Sequence, residues 1–394
     1  MNAPAQMAAW LGRVGLTVAV LGLAAAVAGS LLPRVPVVGV AVGFVAPVLS
    51  VVVLAAASAG LVALVMWWLH RQRLFLALTV IAALTVAGGS FIVARQVGAA
   101  SAAGVDVDLV ETLRVFDAAA VAAVTPDDTA VYTEFDDEPL ALDVYRPRRS
   151  GPAPVLVFIH GGGWVAGDRS AHRTDLRWFA DQGWLVVSVD YALSSADRHL
   201  WDVVPGQIGC ALTWVAANAG RYGGDASRLS LTGDSAGGNL AINVAYATAG
   251  GTLRPSCGGA PPRVGAVSVL YPAVDPARVY ANTDPVFGQS GRDLATAYIG
   301  GPPDQYLERY AAVASATHLG PSAPPTLLVL GAVDHLVPID GALAFVERAR
   351  DVGVGVEAVT IPYADHVFDG REGTIGQQTY RQLTAAWLRS HGQG

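Results

Sequence analysis

Four short segments of the sequence carry residue types that together could perform acyl-transfer chemistry. The first is Gly233-Asp234-Ser235-Ala236-Gly237, which follows a predicted strand directly and opens a predicted helix. A serine on such a tight turn protrudes from the backbone, and the helix N-terminus adds positive potential where an oxyanion would form. The pattern therefore predicts that Ser235 is a nucleophile, with a structural Gly-Ser turn as the alternative.

A glycine-rich segment follows another predicted strand, in His160-Gly161-Gly162-Gly163-Trp164. Acyl transfer builds negative charge on the former carbonyl oxygen, so catalysis needs preorganised N–H donors that point at this position. Consecutive glycines let the backbone turn its amides toward a substrate. We therefore expect an oxyanion loop, with a plain glycine-rich turn or a phosphate cradle as alternatives. His160 itself is expected to orient the loop and not to act as a base.

The third and fourth segments supply an acid and a base. Asp334 follows the predicted strand 326–330, and His366 follows the last predicted strand. A histidine can take the serine proton and return it, while a carboxylate holds the imidazole tautomer and stabilises the imidazolium. The order Ser235, Asp334, His366 is the one expected of an α/β-hydrolase. The rival acids are Asp340, Asp365 and Asp369, and the rival base is His335.

Composition excludes several other classes of function. The chain has 394 residues, of which 53% are hydrophobic and 14% charged, and its net charge is −7. Such an acidic balance argues against a nucleic-acid partner, which needs a basic face. There is no lysine in the sequence, and this excludes a Walker-A loop, a PLP Schiff base and a protein kinase. The sequence has no H-E-x-x-H motif, and we expect neither a metal nor an organic cofactor.

The region 1–104 is predicted to be a transmembrane region with three helices. Long apolar stretches run over about 11–32, 44–69 and 74–94, and no Asp or Glu occurs before Asp106. A bilayer core needs about 20 apolar residues in a helix. The first stretch could instead be a signal peptide, since Ala26-Val27-Ala28 resembles a cleavage site, but we favour an uncleaved anchor.

The arginines predict the orientation of these helices. The short 70–73 loop holds Arg71 and Arg73 and should be cytoplasmic, so the C-terminal domain should face away from the cytoplasm. Two cysteines, Cys210 and Cys257, could form one disulfide if they lie outside the cytoplasm. We favour the simpler interpretation, two isolated small apolar side chains.

Residues 105–130 form a connector for which we predict a short amphipathic helix, because apolar residues recur at near-helical spacing. This helix could lie on the membrane, cover the catalytic site, or pack on the next domain, and packing is the default. Because the connector is short, we expect the anchor to raise the local substrate concentration and not to take part in the chemistry. The apolar residues are Leu109, Val110, Leu113 and Phe116.

The region 131–394 alternates strands and helices, and most of the strands are continuous apolar runs. This pattern predicts an α/β fold with a mostly parallel eight-stranded sheet, helices on both faces and an antiparallel opening hairpin. A segment over 273–312 interrupts the pattern and could cap an acyl pocket with its aromatic residues. The predicted strands are 131–136, 140–145, 155–160, 184–191, 228–233, 264–271, 326–330 and 356–361. The aromatic residues of the segment are Tyr280, Phe287, Tyr298, Tyr306 and Tyr310.

With these motifs together, residues 131–394 resemble the hormone-sensitive-lipase-like family of α/β-hydrolases, which comprises carboxylesterases, lipases and deacetylases. The resemblance rests on the His-Gly-Gly-Gly-Trp and Gly-Asp-Ser-Ala-Gly segments, on Asp334, and on His366 in a His-x-Phe sequence. The stretch 214–238 is also similar to the feruloyl-esterase and isoprenylcysteine-methylesterase branches. The resemblance implies that Ser235 is the nucleophile, His366 the base and Asp334 the acid. It also implies that the backbone amides of Gly162, Gly163 and Ala236 form the oxyanion hole.

Two departures from the family pattern concern the substrate pocket and leave the triad intact. Where the family commonly has Arg-Leu-x-Pro-Glu, residues 192–196 read Ala-Leu-Ser-Ser-Ala, and Gly209-Cys210 lies near the usual place of an acidic residue. The sequence thus predicts a membrane-anchored serine esterase or lipase-like hydrolase that acts on small-molecule or lipid-like esters. The alternatives are a serine peptidase or amide deacetylase of the same fold, and a non-catalytic membrane receptor or assembly protein.

Overall fold

The chain divides into two compact units. The computed structural model describes residues 3–148 and 151–394. The first unit comprises Met1–Phe116 together with Ile361–Gln378, and the second comprises Asp117–Thr360 together with Thr379–Gly394. The segment 361–378, which runs from the end of the last strand into the last helix, thus groups with the N-terminal helices. A division of the sequence at residue 104 does not anticipate this grouping.

Long apolar helices make up most of the first unit. Within the part of the chain that the structure describes, three helical stretches are long and apolar enough to cross a membrane: Gln6–Leu31, Ala41–His70 and Arg73–Ala102. The predicted spans fall on these three stretches. The third continues past residue 94 because nothing stops it before Gly104, which has a φ of +82°. The α-helices are α1 (Ala3–Leu31), α2 (Ala41–Val45), α3 (Leu49–His70) and α4 (Arg73–Ala102).

Small residues let these helices approach one another. A Cβ atom on Gly60 of α3 would lie 2.9 Å from Ala82 of α4, and one on Gly89 would lie 2.5 Å from Val53. Large apolar side chains such as Leu61 and Leu84 remain exposed on the outer faces. Exposed apolar surface of this extent is typical of a membrane-contacting or partner-contacting face.

The predicted amphipathic helix of the connector is not formed. The connector instead contains a 3₁₀ turn over Glu111–Arg114 and the short helix α5 (Ala118–Ala122). The carboxylate of Asp108 accepts the Val110 N–H at 2.7 Å, a local bond that competes with helix formation. The apolar side chains that would have formed one face of the predicted helix are therefore exposed. They are those of Leu109, Val110, Leu113 and Phe116.

The second unit is built on an eight-stranded sheet of order β1-β2-β4-β3-β5-β6-β7-β8. The prediction of eight strands with an antiparallel opening is confirmed, since β1 pairs antiparallel with β2 and β2 with β4. The pairs β3–β4, β3–β5, β5–β6 and β6–β7 are parallel. The strands are β1 (Asp128–Phe135), β2 (Glu138–Tyr145), β3 (Ala153–Ile159), β4 (Leu185–Val189), β5 (Gly224–Asp234), β6 (Val264–Leu270), β7 (Thr326–Gly331) and β8 (Val356–Ile361).

Helices alternate with these strands, and the central strands are buried along their length. Every residue of β3 is buried, as expected for a strand covered on both faces. Because β3, β5, β6 and β7 run parallel, their carboxyl ends meet at one edge of the sheet, where ligands bind in such folds. The helices are α6 (Arg173–Asp181), α7 (Val204–Asn218), α8 (Ser235–Ala249), α9 (Pro276–Tyr280), α10 (Gly288–Ile299), α11 (Leu307–Val313), α12 (Ile339–Asp351) and α13 (Ile375–Ser390).

A disulfide joins Cys210 of α7 to Cys257, with the Cα atoms 5.7 Å apart. The favoured interpretation of two isolated cysteines was therefore wrong. The chain that leaves α8 runs back beside α7, where the Ser256 N–H donates to the Gly206 carbonyl at 3.0 Å. Gly209 permits this approach, since a Cβ there would lie 3.2 Å from Pro255.

Candidate functional site

Ser235 lies at the junction of β5 and α8, with no residue between strand and helix. Its φ is +50°, a left-handed conformation that is uncommon for a residue other than glycine. The flanking glycines permit this turn because the Ile159 carbonyl oxygen lies close to both. A Cβ atom would lie 2.5 Å from that oxygen at Gly233 and 2.1 Å from it at Gly237. The turn has the geometry that presents a serine nucleophile.

The glycine-rich segment after β3 also requires its glycines. Gly162 has a φ of +102° and Gly163 a φ of +61°. A Cβ atom on Gly162 would lie 2.1 Å from the Ala166 carbonyl oxygen, and one on Gly163 would lie 2.5 Å from Leu294. Only glycine fits at both positions, so the backbone can turn its amides outward here.

A hydrogen bond joins this loop to the serine turn. The Gly161 N–H donates to Asp234 Oδ1 at 2.7 Å. Burial raises the pKa of the Asp234 carboxyl, whereas the His172 imidazole, 3.7 Å away, and the Gly161 N–H lower it. The lowering effects are the larger, so the pKa lies below its usual range. Asp234 therefore stays ionised and holds the two loops together. Sequence reasoning gave Asp234 no role, although it lies inside the matched motif.

His160 supports the same loop from within. Its Nδ1 lies 2.8 Å from the Gly161 carbonyl oxygen, and its ring stacks on Tyr191 with the centroids 4.3 Å apart. The Tyr191 hydroxyl in turn donates to the His160 carbonyl at 2.9 Å. Burial lowers the pKa of the His160 imidazole below its ordinary 6.5. A neutral, stacked imidazole fits the expectation that His160 orients the loop.

Asp334 lies on the loop after β7, and backbone amides hold its carboxylate. Its Oδ1 accepts the N–H groups of Leu336 at 3.0 Å and Val337 at 2.7 Å. The Asn282 side-chain amide donates to the His335 carbonyl at 2.7 Å, which steadies the same loop. The side chain of the rival Asp340 is 62% exposed and pairs with Arg278. An exposed carboxylate in a surface ion pair is poorly suited to orient a catalytic imidazole.

His366 belongs to the first unit, on the segment that follows β8. Its backbone N–H donates to Asp365 Oδ1 at 2.7 Å. The other rival acids, Asp365 and Asp369, lie on the same segment, and both are buried. The Ser235 turn and the glycine loop therefore lie side by side in the second unit, and Asp334 lies at the same edge of the sheet. His366, in contrast, belongs to the first unit.

Helices of the 273–312 segment pack on the glycine loop. The Trp164 ring stacks on Tyr298 of α10 with the centroids 4.5 Å apart, and Leu294 of the same helix contacts Gly163. Tyr280 and Tyr310 meet edge to face at 6.3 Å. Tyr298 and Tyr310 are buried, so they stabilise this segment from within.

Known sequences similar to this chain are named as ester hydrolases. The BD-FAE family model matches residues 142–348, just over half of the chain. The probable carboxylic ester hydrolase LipM of Mycobacterium tuberculosis is 31% identical over 233 residues, 58% of this chain and 53% of LipM. Esterase LipC of the same organism is 31% identical over 258 residues, 60% of this chain and 59% of LipC. The chain thus spans a little over half the length of these curated relatives.

Solved structures share the architecture. Esterase LipW from Mycobacterium marinum is similar with a TM-score of 0.55 and 27% identity, over 71% of this chain and 88% of LipW. The propionate-bound esterase Est2 of Thermogutta terrifontis is similar with a TM-score of 0.56 and 24% identity, over 68% of this chain and 96% of Est2. The predicted α/β-hydrolase fold and the predicted family resemblance are therefore confirmed.

Proposed function

The chain belongs to the BD-FAE family, and we propose that it is a serine esterase or lipase-like hydrolase that cleaves carboxylic esters. The names of its relatives, carboxylic ester hydrolase and esterase, support this reaction class. The observation that carries the proposal is the strained Ser235 turn, which the Gly161–Asp234 hydrogen bond joins to the glycine loop. This observation supports the proposal because acyl transfer requires a nucleophile beside preorganised backbone amides.

In the proposed mechanism the reaction runs through an acyl-enzyme. Ser235 Oγ attacks the ester carbonyl while His366 takes its proton, and Asp334 holds the imidazole tautomer. The developing oxyanion accepts hydrogen bonds from the backbone amides of the oxyanion hole. His366 then protonates the leaving alcohol, and water, deprotonated by the same imidazole, hydrolyses the acyl-enzyme. The oxyanion-hole amides are those of Gly162, Gly163 and Ala236.

The substrate we propose is a small-molecule or lipid-like ester. Leu294 of α10 lies against Gly163, so an apolar side chain borders the proposed oxyanion hole. An apolar border suits an acyl chain and not a charged peptide. The 273–312 segment is the proposed cap of this pocket.

We further propose that the protein is integral to the cell membrane, with the hydrolase outside the cytoplasm. Among the described residues, three helical stretches are long and apolar enough to cross a membrane, and Arg71 lies between the second and the third, which begins at Arg73. The disulfide between Cys210 and Cys257 supports the same side, since disulfides persist in oxidising compartments. The exposed apolar side chains of the connector fit contact with the bilayer surface.

The test is a panel of p-nitrophenyl esters from acetate to palmitate, given to the full-length enzyme in lipid nanodiscs. We expect hydrolysis that depends on acyl length and is lost in Ser235→Ala. Matched p-nitroanilides test the amidase alternative, which faster anilide cleavage would favour. No turnover of any ester would overturn the proposal and favour a receptor or assembly role.

A further inference from the structure

The segment that carries His366 packs against the apolar helices of the first unit. On one side, Gln96 of α4 donates from Nε2 to the Tyr363 carbonyl at 3.3 Å. The Tyr363 ring meets Phe91 of α4 edge to face, with the centroids 6.2 Å apart. Tyr363 also joins a small buried cluster with Leu49 of α3 and Ile92 of α4. Buried amides such as Gln96 usually have a structural partner, and here the partner is the backbone three residues before His366.

A second contact reaches the residue next to His366. A Cβ atom on Gly43 of α2 would lie 2.9 Å from Asp365 Oδ2 and 3.3 Å from Asp365 Cβ. Asp365 is 5% exposed, and its other oxygen accepts the His366 N–H. Glycine at position 43 therefore leaves room for the carboxylate that holds the His366 backbone. Any side chain there must displace Asp365.

The connector holds the far end of the segment. Gln378 accepts the Asp108 N–H at its Oε1, at 2.7 Å, and donates from Nε2 to the Asp108 carbonyl at 3.0 Å. A Cβ atom on Gly373 would lie 2.2 Å from the Glu111 carbonyl oxygen, so these two stretches of backbone are in direct contact. The segment is thus tied to the N-terminal region at both its ends.

From these contacts we propose that the membrane region positions the catalytic base, with Gln96 and Gly43 as positioning residues. The inference rests on the proposed function, in which His366 is the base. It differs from the expectation that the anchor acts only by raising the local substrate concentration. A displacement of about 1 Å in a catalytic group can cost about 100-fold in rate, so small shifts of this segment would be felt at the reaction.

The test uses the full-length enzyme in detergent with p-nitrophenyl acetate, a soluble ester for which partitioning into a bilayer does not matter. We expect Gly43→Ala and Gln96→Leu to lower kcat by about 10- to 100-fold with KM nearly unchanged. Gln96→His, which keeps a side-chain N–H donor, should restore part of the lost kcat. Titration of Ser235 with a p-nitrophenyl phosphonate, together with Tm, reports how much folded enzyme is present.

Two control variants match these changes elsewhere among the apolar helices of the first unit. Gly60→Ala introduces a Cβ with the same 2.9 Å closest contact, but against Ala82 of α4. Thr85→Val removes a buried polar group whose hydroxyl donates to the Ile81 carbonyl of its own helix. Both should keep kcat within about twofold of the wild type, since the contacts that they change lie within α3 and α4 and not at the segment around His366.

The inference is overturned if Gly43→Ala and Gln96→Leu behave like their controls. It is also overturned if the loss of kcat equals the loss of titratable Ser235, because the variants would then only be unfolding the protein. If the wild-type enzyme hydrolyses no ester, or if Ser235→Ala remains active, the proposed function has failed instead.

Discussion

The Gly161 N–H and the Asp234 carboxylate join the glycine loop after β3 to the serine turn after β5, through a 2.7 Å hydrogen bond. The residues lie 73 positions apart in the sequence, and this bond, together with the pairing of β3 with β5, holds the proposed oxyanion loop beside the proposed nucleophile. Asp234 is buried, and its pKa is lowered, so the acceptor is a charge and the bond is of the stronger kind.

Replacing the nucleophile tests the triad directly. Ser235→Ala should lower kcat by about 10⁴-fold or more, because a methyl group cannot attack the ester carbonyl to form the acyl-enzyme. Its Tm should stay close to that of the wild type, since alanine fits where serine does. Initial rates with p-nitrophenyl butyrate and a thermal melt measure both. A variant that kept a tenth of the activity would rule out Ser235 as the nucleophile.

Replacing the acid separates Asp334 from its rivals. Asp334→Asn should cost about 10⁴-fold in kcat, because the imidazole loses its correct tautomer. Asp340→Asn should cost far less, since the exposed Asp340 carboxylate pairs with Arg278 at the surface. Both variants are compared by kcat under one set of conditions. If Asp369→Asn proved the crippling change, the acid would have to be reassigned.

Membrane topology can be read with single cysteines. Thr125→Cys, in the exposed end of the connector, should react with an impermeant maleimide in intact cells. His70→Cys, beside the arginine loop, should react only after lysis. The native Cys210 and Cys257 are paired and give no background without reductant. The reverse labelling pattern would place the hydrolase in the cytoplasm.

The disulfide should contribute to stability. It closes a loop across a sequence separation of 47, for which chain entropy gives about 4 kcal/mol. The double variant Cys210→Ala/Cys257→Ala should lose a free energy of unfolding of that order in a urea titration. Wild-type enzyme treated with dithiothreitol should show a similar loss. No change in either sample would mean that the cysteines are not paired in the folded protein.

Stability should fall in mild acid because of His160. The folded-state pKa of this imidazole lies below its ordinary 6.5, so folding favours the neutral form. The contribution of His160 to the free energy of unfolding is complete above the pKa of the unfolded state. It is lost as the pH falls through the pKa of the folded state. His160→Gln should flatten the fall in unfolding free energy between neutral and mildly acidic pH.

The cause of this dependence is specific to the site. Among the described residues, His160 Nε2 is buried without a hydrogen-bond partner, so the cost of burying a charge there outweighs the attraction of Asp234, Asp190 and Asp168. The depressed pKa of Asp234 acts in the same direction, but in more acidic solution, below its ordinary 3.8. An unchanged slope in His160→Gln would assign the effect to other groups.

Much of the second unit could be predicted because its signals are local. The strands of the sheet are continuous apolar runs, and glycines flank Ser235 where a Cβ atom would lie 2.1–2.5 Å from the Ile159 carbonyl oxygen. Such constraints act within a few residues and therefore leave a pattern in the sequence. The prediction of a connector helix was wrong for a local reason as well. Asp108 accepts the Val110 N–H, and the spacing of apolar residues does not reveal this bond.

The amino-acid sequence by itself determined the strand order along the chain, the apolar spans and the motifs that hold Ser235, Asp334 and His366. Only the tertiary structure decided that Cys210 meets Cys257 and that Gln96 and Gly43 contact the segment around His366. These contacts join residues separated by 47 to more than 250 positions. Periodicity and motif spacing describe neighbours along the chain, whereas the closure of long loops is decided by packing of the whole fold.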